Sequence, residues 1–286
     1  MSTLFIILHA WIVGWMEILP FGAQFHRECL ALFTGTALPS PLVLSALSAS
    51  LFCTLVVIYF HDLLSIFSGT LRVLIFRRKP ATIDERMPLF LLIATGVAWA
   101  QFHFASNAED LLAQLLPIDL QEPRLRLLAM SLAFGLPGLL FLRGERLNRR
   151  SLGLYDTHSG DAASVSVAYS VEQLLSLGRS TVGWAYMLGR TYQREAALKW
   201  LLLMGLPFLF FRTSALWEGI RFQGSGPEEG LSWISFGVGC VVTSVTAAIG
   251  VHGWKKSIHQ FSFKKLGIYR IIMMILTPLA AWLMSL

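Results

Sequence analysis

Apolar runs of membrane-spanning length alternate along this chain with short polar loops, and two of the runs are broken before they could cross a bilayer. An uninterrupted membrane helix needs about 20 apolar residues. Six stretches meet that length: Pro41 to Phe60, Met87 to Ser106, Leu125 to Leu142, Trp200 to Trp217, Leu231 to Val251 and Leu266 to Leu286. The first is expected to continue as helix through His61 and Asp62 towards Ile75. The first broken run is Leu4 to Pro20, apolar except for His9 and Glu17 and interrupted by Pro20-Phe21-Gly22-Ala23-Gln24. It resumes through Phe25-His26-Arg27-Glu28-Cys29 into Leu30 to Phe33. In the second, Ala162 to Ser170 is small and weakly apolar, and Glu172, Gln173, Arg179 and Ser180 follow within ten positions. Ionisable groups at membrane depth are costly unless they face a cavity or a partner. Both segments are therefore predicted as re-entrant helix pairs whose tips are buried in protein or line water. Gly178 is the expected break of the second, so Arg179 and Ser180 would begin a half-helix. Its free N–H groups and positive dipole end suit a phosphate.

The charges give the topology. Basic residues gather in Arg72 to Arg86, in Arg143, Arg146, Arg149 and Arg150, in Arg190, Arg194 and Lys199, and in Lys255, Lys256, Lys264 and Lys265. Acidic connectors hold Glu109, Asp110, Asp119 and Glu122, then Glu228 and Glu229 after the Gly224-Ser225-Gly226-Pro227 turn. Positive-inside bias puts every basic loop on the cytoplasmic face and the acidic connectors outside. An odd number of crossings then separates the two broken segments, so they enter from opposite faces. That is an inverted-topology repeat with both tips near the midplane and the binding site between them. The expected fold is an all-α polytopic membrane protein with about six full spans plus two re-entrant helix pairs. It forms a single membrane domain, with repeat 1 at about 1–143, a cytoplasmic linker at 144–161 and repeat 2 at about 162–286. Reading Leu4 to Pro20 as an ordinary short span would reverse one half against the charge rule.

Composition agrees. The chain is 55% hydrophobic and only 14% charged, with a mean hydropathy of +0.62, against about 25% charged in ordinary soluble domains. The net charge of +6 is accounted for by the basic loops, and no nucleic-acid-binding motif accompanies it. Cys29, Cys53 and Cys240 are scattered, with neither disulfide nor zinc spacing. The run from Leu4 lacks a basic flank and a small-residue cleavage site, and is expected to belong to the mature protein.

Residues of both breaks resemble the undecaprenyl-pyrophosphate phosphatases, the bacitracin-resistance membrane phosphatases. That family carries E-x-x-x-E-x-L-P-x-S-S-x-x-H near its N-terminus and P-G-x-S-R-S in its second half. Here the first motif falls on Val13 to His26 and the second on Leu175 to Ser180. Glu17 matches the second acid, His26 the closing histidine, and Arg179 and Ser180 the last two positions. Val13 replaces the first acid, Gly22 and Ala23 the serine pair, and Leu175, Ser176 and Gly178 the Pro, Gly and first Ser. Arg194-Glu195-Ala196-Ala197 with the run from Leu201 to Pro207 is similar to the family's R-x-A-A segment. Leu266-Gly267-Ile268-Tyr269-Arg270 is similar to its final F-x-x-Y-R.

The resemblance implies hydrolysis of a polyprenyl diphosphate to the monophosphate in lipid-carrier recycling for the cell wall, at the bacterial cytoplasmic membrane. It also implies a divalent cation, Mg or Ca. The residue types suit phosphoryl transfer, which asks mostly for positioning and charge stabilisation. Arg179 can grip phosphate oxygens. His26 can act as acid–base or nucleophile. Glu17 can orient His26, activate water or hold a cation. Catalysis is thus assigned to Glu17, His26 and Arg179, and substrate binding to Gln24, Gly178 and Ser180. Glu172 is a further candidate that could replace the carboxylate lost at Val13. His9, His61 and Asp62 receive no role beyond structural polar contacts. Two alternatives stand open at Ala23: either the histidine is the nucleophile, or the chain is a non-catalytic relative that binds or translocates a polyprenyl phosphate. A homodimer is carried as a possible assembly.

Overall fold

A computed structural model describes residues 3–36, 38–77, 79–115, 123–146, 152–174, 181–213 and 233–283. Gly178, Arg179 and Ser180, the acidic residues Asp119, Glu122, Glu228 and Glu229, and Arg149 and Arg150 lie outside them. The described residues are almost wholly helical, and their one β-contact is an isolated bridge between Leu152 and Tyr192. In chain order the helices are α1 (Thr3–Met16), α2 (Ala23–Thr34), α3 (Pro41–Ile58), α4 (Phe60–Phe76), α5 (Ile83–Leu115) and α6 (Pro123–Arg146). Then come α7 (Ser159–Leu174), α8 (Thr181–Gly189), α9 (Arg194–Met204), α10 (Trp233–Ser257) and α11 (Phe263–Leu283). After Gly205 the path of α9 continues helically through 206–213.

Six of these paths are long and apolar enough to cross a membrane: Pro41–Ile58, Ile83–Phe104, Leu127–Gly144, Arg194–Thr213, Trp233–Ser257 and Phe263–Leu283. The protein is an all-α polytopic membrane protein. Arg194–Thr213 is the central span, with 78% of its residues buried against 22–50% in the other five. Large apolar side chains such as Leu74, Leu92, Val241 and Ile275 remain exposed on the outer helices, the surface lipid would cover. Several boundaries differ from the sequence expectation: the central span begins at Arg194 rather than Trp200, and the fifth ends at Ser257 rather than Val251. The helix expected to continue through His61 and Asp62 does so as α4, after a one-residue turn at Tyr59 that ends α3. Residues 109 and 110, expected in a connector, are the sixth- and seventh-last residues of α5.

Local chemistry sets the helix ends. Ser40 accepts the Val43 N–H and Pro41 supplies the first turn of α3. The Glu85 carboxylate receives the amides of Ala81 and Thr82 at the start of α5, where the helix dipole favours a negative charge. At the start of α9, Arg194 donates from Nη1 to the carbonyls of Ile258, His259 and Phe261. It thereby neutralises the carbonyl end of α10. Packing follows the rule for membrane helices, where small residues admit close approach. On α6 and α11 a Cβ at Gly138 would stand 2.8 Å from the Gly267 carbonyl, and one at Gly267 2.7 Å from that of Gly138.

The two short helix pairs sit inside this frame in opposite senses. α1 runs parallel to α10: Thr3 meets Ser235, the Thr243 hydroxyl donates to the Ala10 carbonyl, and Trp15 and Ile18 lie against Gly250. α2 runs parallel to α11, with His26 at Tyr269 and Cys29 near Met273 and Thr277. Since α10 and α11 are joined by a short turn, α1 and α2 form a hairpin that opens where α10 begins. α7 and α8 form the second hairpin. Its open end holds Asp161 against Tyr186 and Tyr192, beside the Arg194 clasp where α10 finishes.

Candidate active site

The break of the first hairpin and the start of α8 meet on one side chain. Arg270 of α11 is wholly buried, donates from Nε to the Phe134 carbonyl at 2.8 Å, and lies 4.0 Å over the Phe134 ring. Its Nη1 donates to the Pro20 carbonyl at 2.8 Å and to the Thr181 hydroxyl at 3.2 Å. Pro20 lies in the break between α1 and α2, and Thr181 is the first residue of α8. Segments about 160 positions apart in sequence thus share one nitrogen. Arg270 Nη2 has no hydrogen-bond partner among the described residues. The sequence reading quoted Arg270 in a motif without giving it a role. A charge inside the last apolar span was the signal for it.

On the first hairpin, Gly22 adopts φ +76° as it caps α2, a conformation that penalises any residue with a Cβ. That is a local reason for glycine where the resembled motif has a serine. Ala23, the first residue of α2, is fully buried, and Gln24 is half-buried on the same turn. His26 Nδ1 lies 2.9 Å from the Gly22 carbonyl and Nε2 2.6 Å from the Tyr269 hydroxyl. A carbonyl only accepts, so Nδ1 carries the proton, and in the neutral ring Nε2 accepts from Tyr269. His26 is also stacked on Tyr269, which holds the ring in one orientation.

Glu17 is buried one helical turn beyond Val13 and receives Arg212 Nη1 on Oε1 at 3.1 Å. Arg27, on the face of α2 turned from His26, is also buried, and its charge acts on Glu17, Arg212 and Glu28. Arg27 Nε and Nη1 have no hydrogen-bond partner among the described residues. Neither Arg27 nor Arg212 was picked out from sequence, although Arg212 lies inside an apolar span.

On the second hairpin, Glu172 is fully buried and its Oε1 accepts the amides of Val182 and Gly183 in the first turn of α8. The helix N-terminus expected to receive a phosphate therefore already holds the protein's own carboxylate at these two donors. Glu172 is also within electrostatic reach of Arg270. At the hairpin's open end, burial would raise the Asp161 carboxyl. The Tyr186 hydroxyl, the His158 amide, the Tyr192 hydroxyl and Arg190 together outweigh it and hold Asp161 below the ordinary carboxylate range. Three guanidiniums, Arg27, Arg212 and Arg270, thus lie among three carboxylates, Glu17, Glu28 and Glu172, with Arg212 and Glu28 only half-buried.

The residues around Glu17 suit a divalent cation poorly. Mg and Ca take several oxygen ligands, but the position of the resembled motif's first acid is Val13, packed with Ala10, Val43, Leu47 and Val242. The remaining carboxylate faces guanidiniums. Among the described residues no group of three or more His, Cys, Asp or Glu is gathered as metal ligands would be.

No family model matches the chain. It is 25% identical over 279 residues to the undecaprenyl-diphosphatase of Maricaulis maris (strain MCS10), over 95% of this chain and 96% of that protein. That alignment supports a distant relationship to the undecaprenyl-diphosphatases. It runs nearly end to end.

Proposed function

We propose that the protein is an integral-membrane polyprenyl-diphosphate phosphatase of the undecaprenyl-diphosphatase type, acting in lipid-carrier recycling. The observation that carries this reading is the junction at Arg270, where Pro20 in the break of the first hairpin and Thr181 at the start of α8 come together beside buried Glu172. The hairpins are re-entrant pairs of an inverted repeat, a reading supported by their opening at opposite ends of α10. Their shared tip region is the substrate site.

The chemistry follows from the groups present. Water attacks the terminal phosphorus, the bond to the bridging oxygen breaks, and the polyprenyl monophosphate leaves with that oxygen. Glu17, oriented by Arg212, takes the proton from the water. Arg179 stabilises the charge on the transferred group, with Gln24, Gly178 and Ser180 lining the phosphates. His26, released from Tyr269 when substrate enters, supplies acid–base capacity from Nε2. Purified protein given farnesyl diphosphate should release phosphate, and Arg179→Ala should abolish release with the fold retained. Folded wild type that turns over no polyprenyl diphosphate would refute the proposal.

A second reading is favoured by one observation: both His26 nitrogens are engaged while Gly22 and Ala23 occupy the serine positions. On it the protein binds or translocates a polyprenyl phosphate without hydrolysis. Phosphate release from wild type beside Ala23→Ser separates the two. Activity only in the variant makes the natural protein a binder.

A further inference from the structure

Two buried polar side chains near the first hairpin, His9 and Arg27, are used by no step above. His9 and Val13 lie one turn apart on α1, and Glu17 follows one helical turn beyond Val13, just past the helix end. His9 is fully buried, neither ring nitrogen has a hydrogen-bond partner among the described residues, and the charge of Arg27 reaches it. Arg27 is 3% exposed, with Nε and Nη1 unpartnered among the described residues, and Arg212 supplies a second guanidinium to the same carboxylate. Buried charges are expensive unless paired and hydrogen-bonded. Arg27 and Arg212 are balanced in charge by Glu17 and the half-buried Glu28, but Arg27 and His9 carry buried N–H groups with no acceptor among the described residues. A phosphate group answers that need, because its oxygens accept several N–H bonds at once.

We propose that Arg27 and Arg212 do the work of a divalent cation in this protein. One phosphate of a polyprenyl diphosphate binds beside Glu17 on guanidinium and His9 donors, without metal. The inference rests on the diphosphate reading above and refines it. Where a second acid would complete a cation site, Val13 belongs to an apolar cluster, and the neutralising charge comes instead from α2 and from the central span. Glu17 then stays ion-paired to Arg212 as the group that takes the proton from water.

The test measures binding, separately from turnover. Farnesyl diphosphate is titrated calorimetrically into detergent-purified full-length protein, once with EDTA and once with magnesium. The expected result is an affinity in EDTA within about threefold of that in magnesium. Arg27→Met and Arg212→Met should each weaken binding about 10- to 100-fold, as expected for loss of a charged hydrogen bond, with unfolding curves confirming that the variants remain folded. Binding that requires magnesium overturns the inference and leaves the phosphatase reading standing. No binding in either buffer removes both. If a variant fails to fold, the wild-type comparison of the two buffers decides the matter alone.

Discussion

The two hairpins face the same physical problem, a carboxylate buried next to a chain break, and resolve it differently. In α7–α8, Glu172 is satisfied locally, by the amides of Val182 and Gly183 on the adjoining helix. In α1–α2, Glu17 is satisfied from far away, by Arg212 on the central span, with Arg27 close behind. The second hairpin thus caps its own carboxylate with its own amides, while the ion pair of the first comes from the assembled bundle. The open ends differ too. Asp161 is clasped by two tyrosine hydroxyls and a backbone amide, whereas Thr3 and Ser235 share a single hydroxyl pair.

The largest expected effect comes from removing what joins the two. Arg270→Ala strands the Pro20 and Phe134 carbonyls and should cost about 3–5 kcal/mol, read as the fraction of protein surviving heating in detergent. A near-neutral result would mean the hairpins do not rely on each other. Next, Glu172→Ala leaves the α8 amides unmatched and should cost about 1–3 kcal/mol. Glu172→Gln keeps an acceptor and should lose about 1 kcal/mol or less. Equal losses in the two variants would contradict local capping.

Asp161 tests the clasp through pH. Its folded-state pKa is depressed, so its contribution is fully present above the ordinary aspartate value near 3.9. It fades as pH falls through the lower folded value. The stability advantage of wild type over Asp161→Asn, about 1–3 kcal/mol at neutral pH, should therefore shrink on acidification below about pH 4. An advantage that grew in acid would reverse the sign of the argument. The smallest effect is expected at the partly exposed Asp62–Lys199 pair, where Lys199→Met should change stability by about 1 kcal/mol or less.

Much of this architecture was legible because the bilayer fixes the length of an apolar run. All six spans are legible, with ends displaced by up to six residues, and Pro20 and Gly22 announce the first break. Tyr59 did not announce its break, since nothing in its neighbours opposes a continuous helix. The partners of the buried charges were harder still. Arg270 binds the backbone carbonyls of Pro20 and Phe134, and carbonyl acceptors carry no mark in sequence. Glu17 was visible as a carboxylate in an apolar run. That Arg212 answers it across 195 positions follows only from the fold. Arg27 was hidden by its neighbours, sitting among polar residues that made one more charge unremarkable.

The account rests on the two breaks forming one site, and disulfide trapping tests that directly. Pro20→Cys and Thr181→Cys are introduced together into a chain whose Cys29, Cys53 and Cys240 are alanine, and the protein is oxidised in its membrane. Thr3→Cys with Ser235→Cys serves as the positive control, since those hydroxyls lie 2.8 Å apart. Because a guanidinium nitrogen of Arg270 lies between the two positions, the oxidation is run beside a short bifunctional thiol reagent, and the account predicts cross-linking of the Pro20–Thr181 pair by one or the other, slowed by farnesyl diphosphate. A pair that never cross-links while the control does would separate the hairpins and with them the shared site.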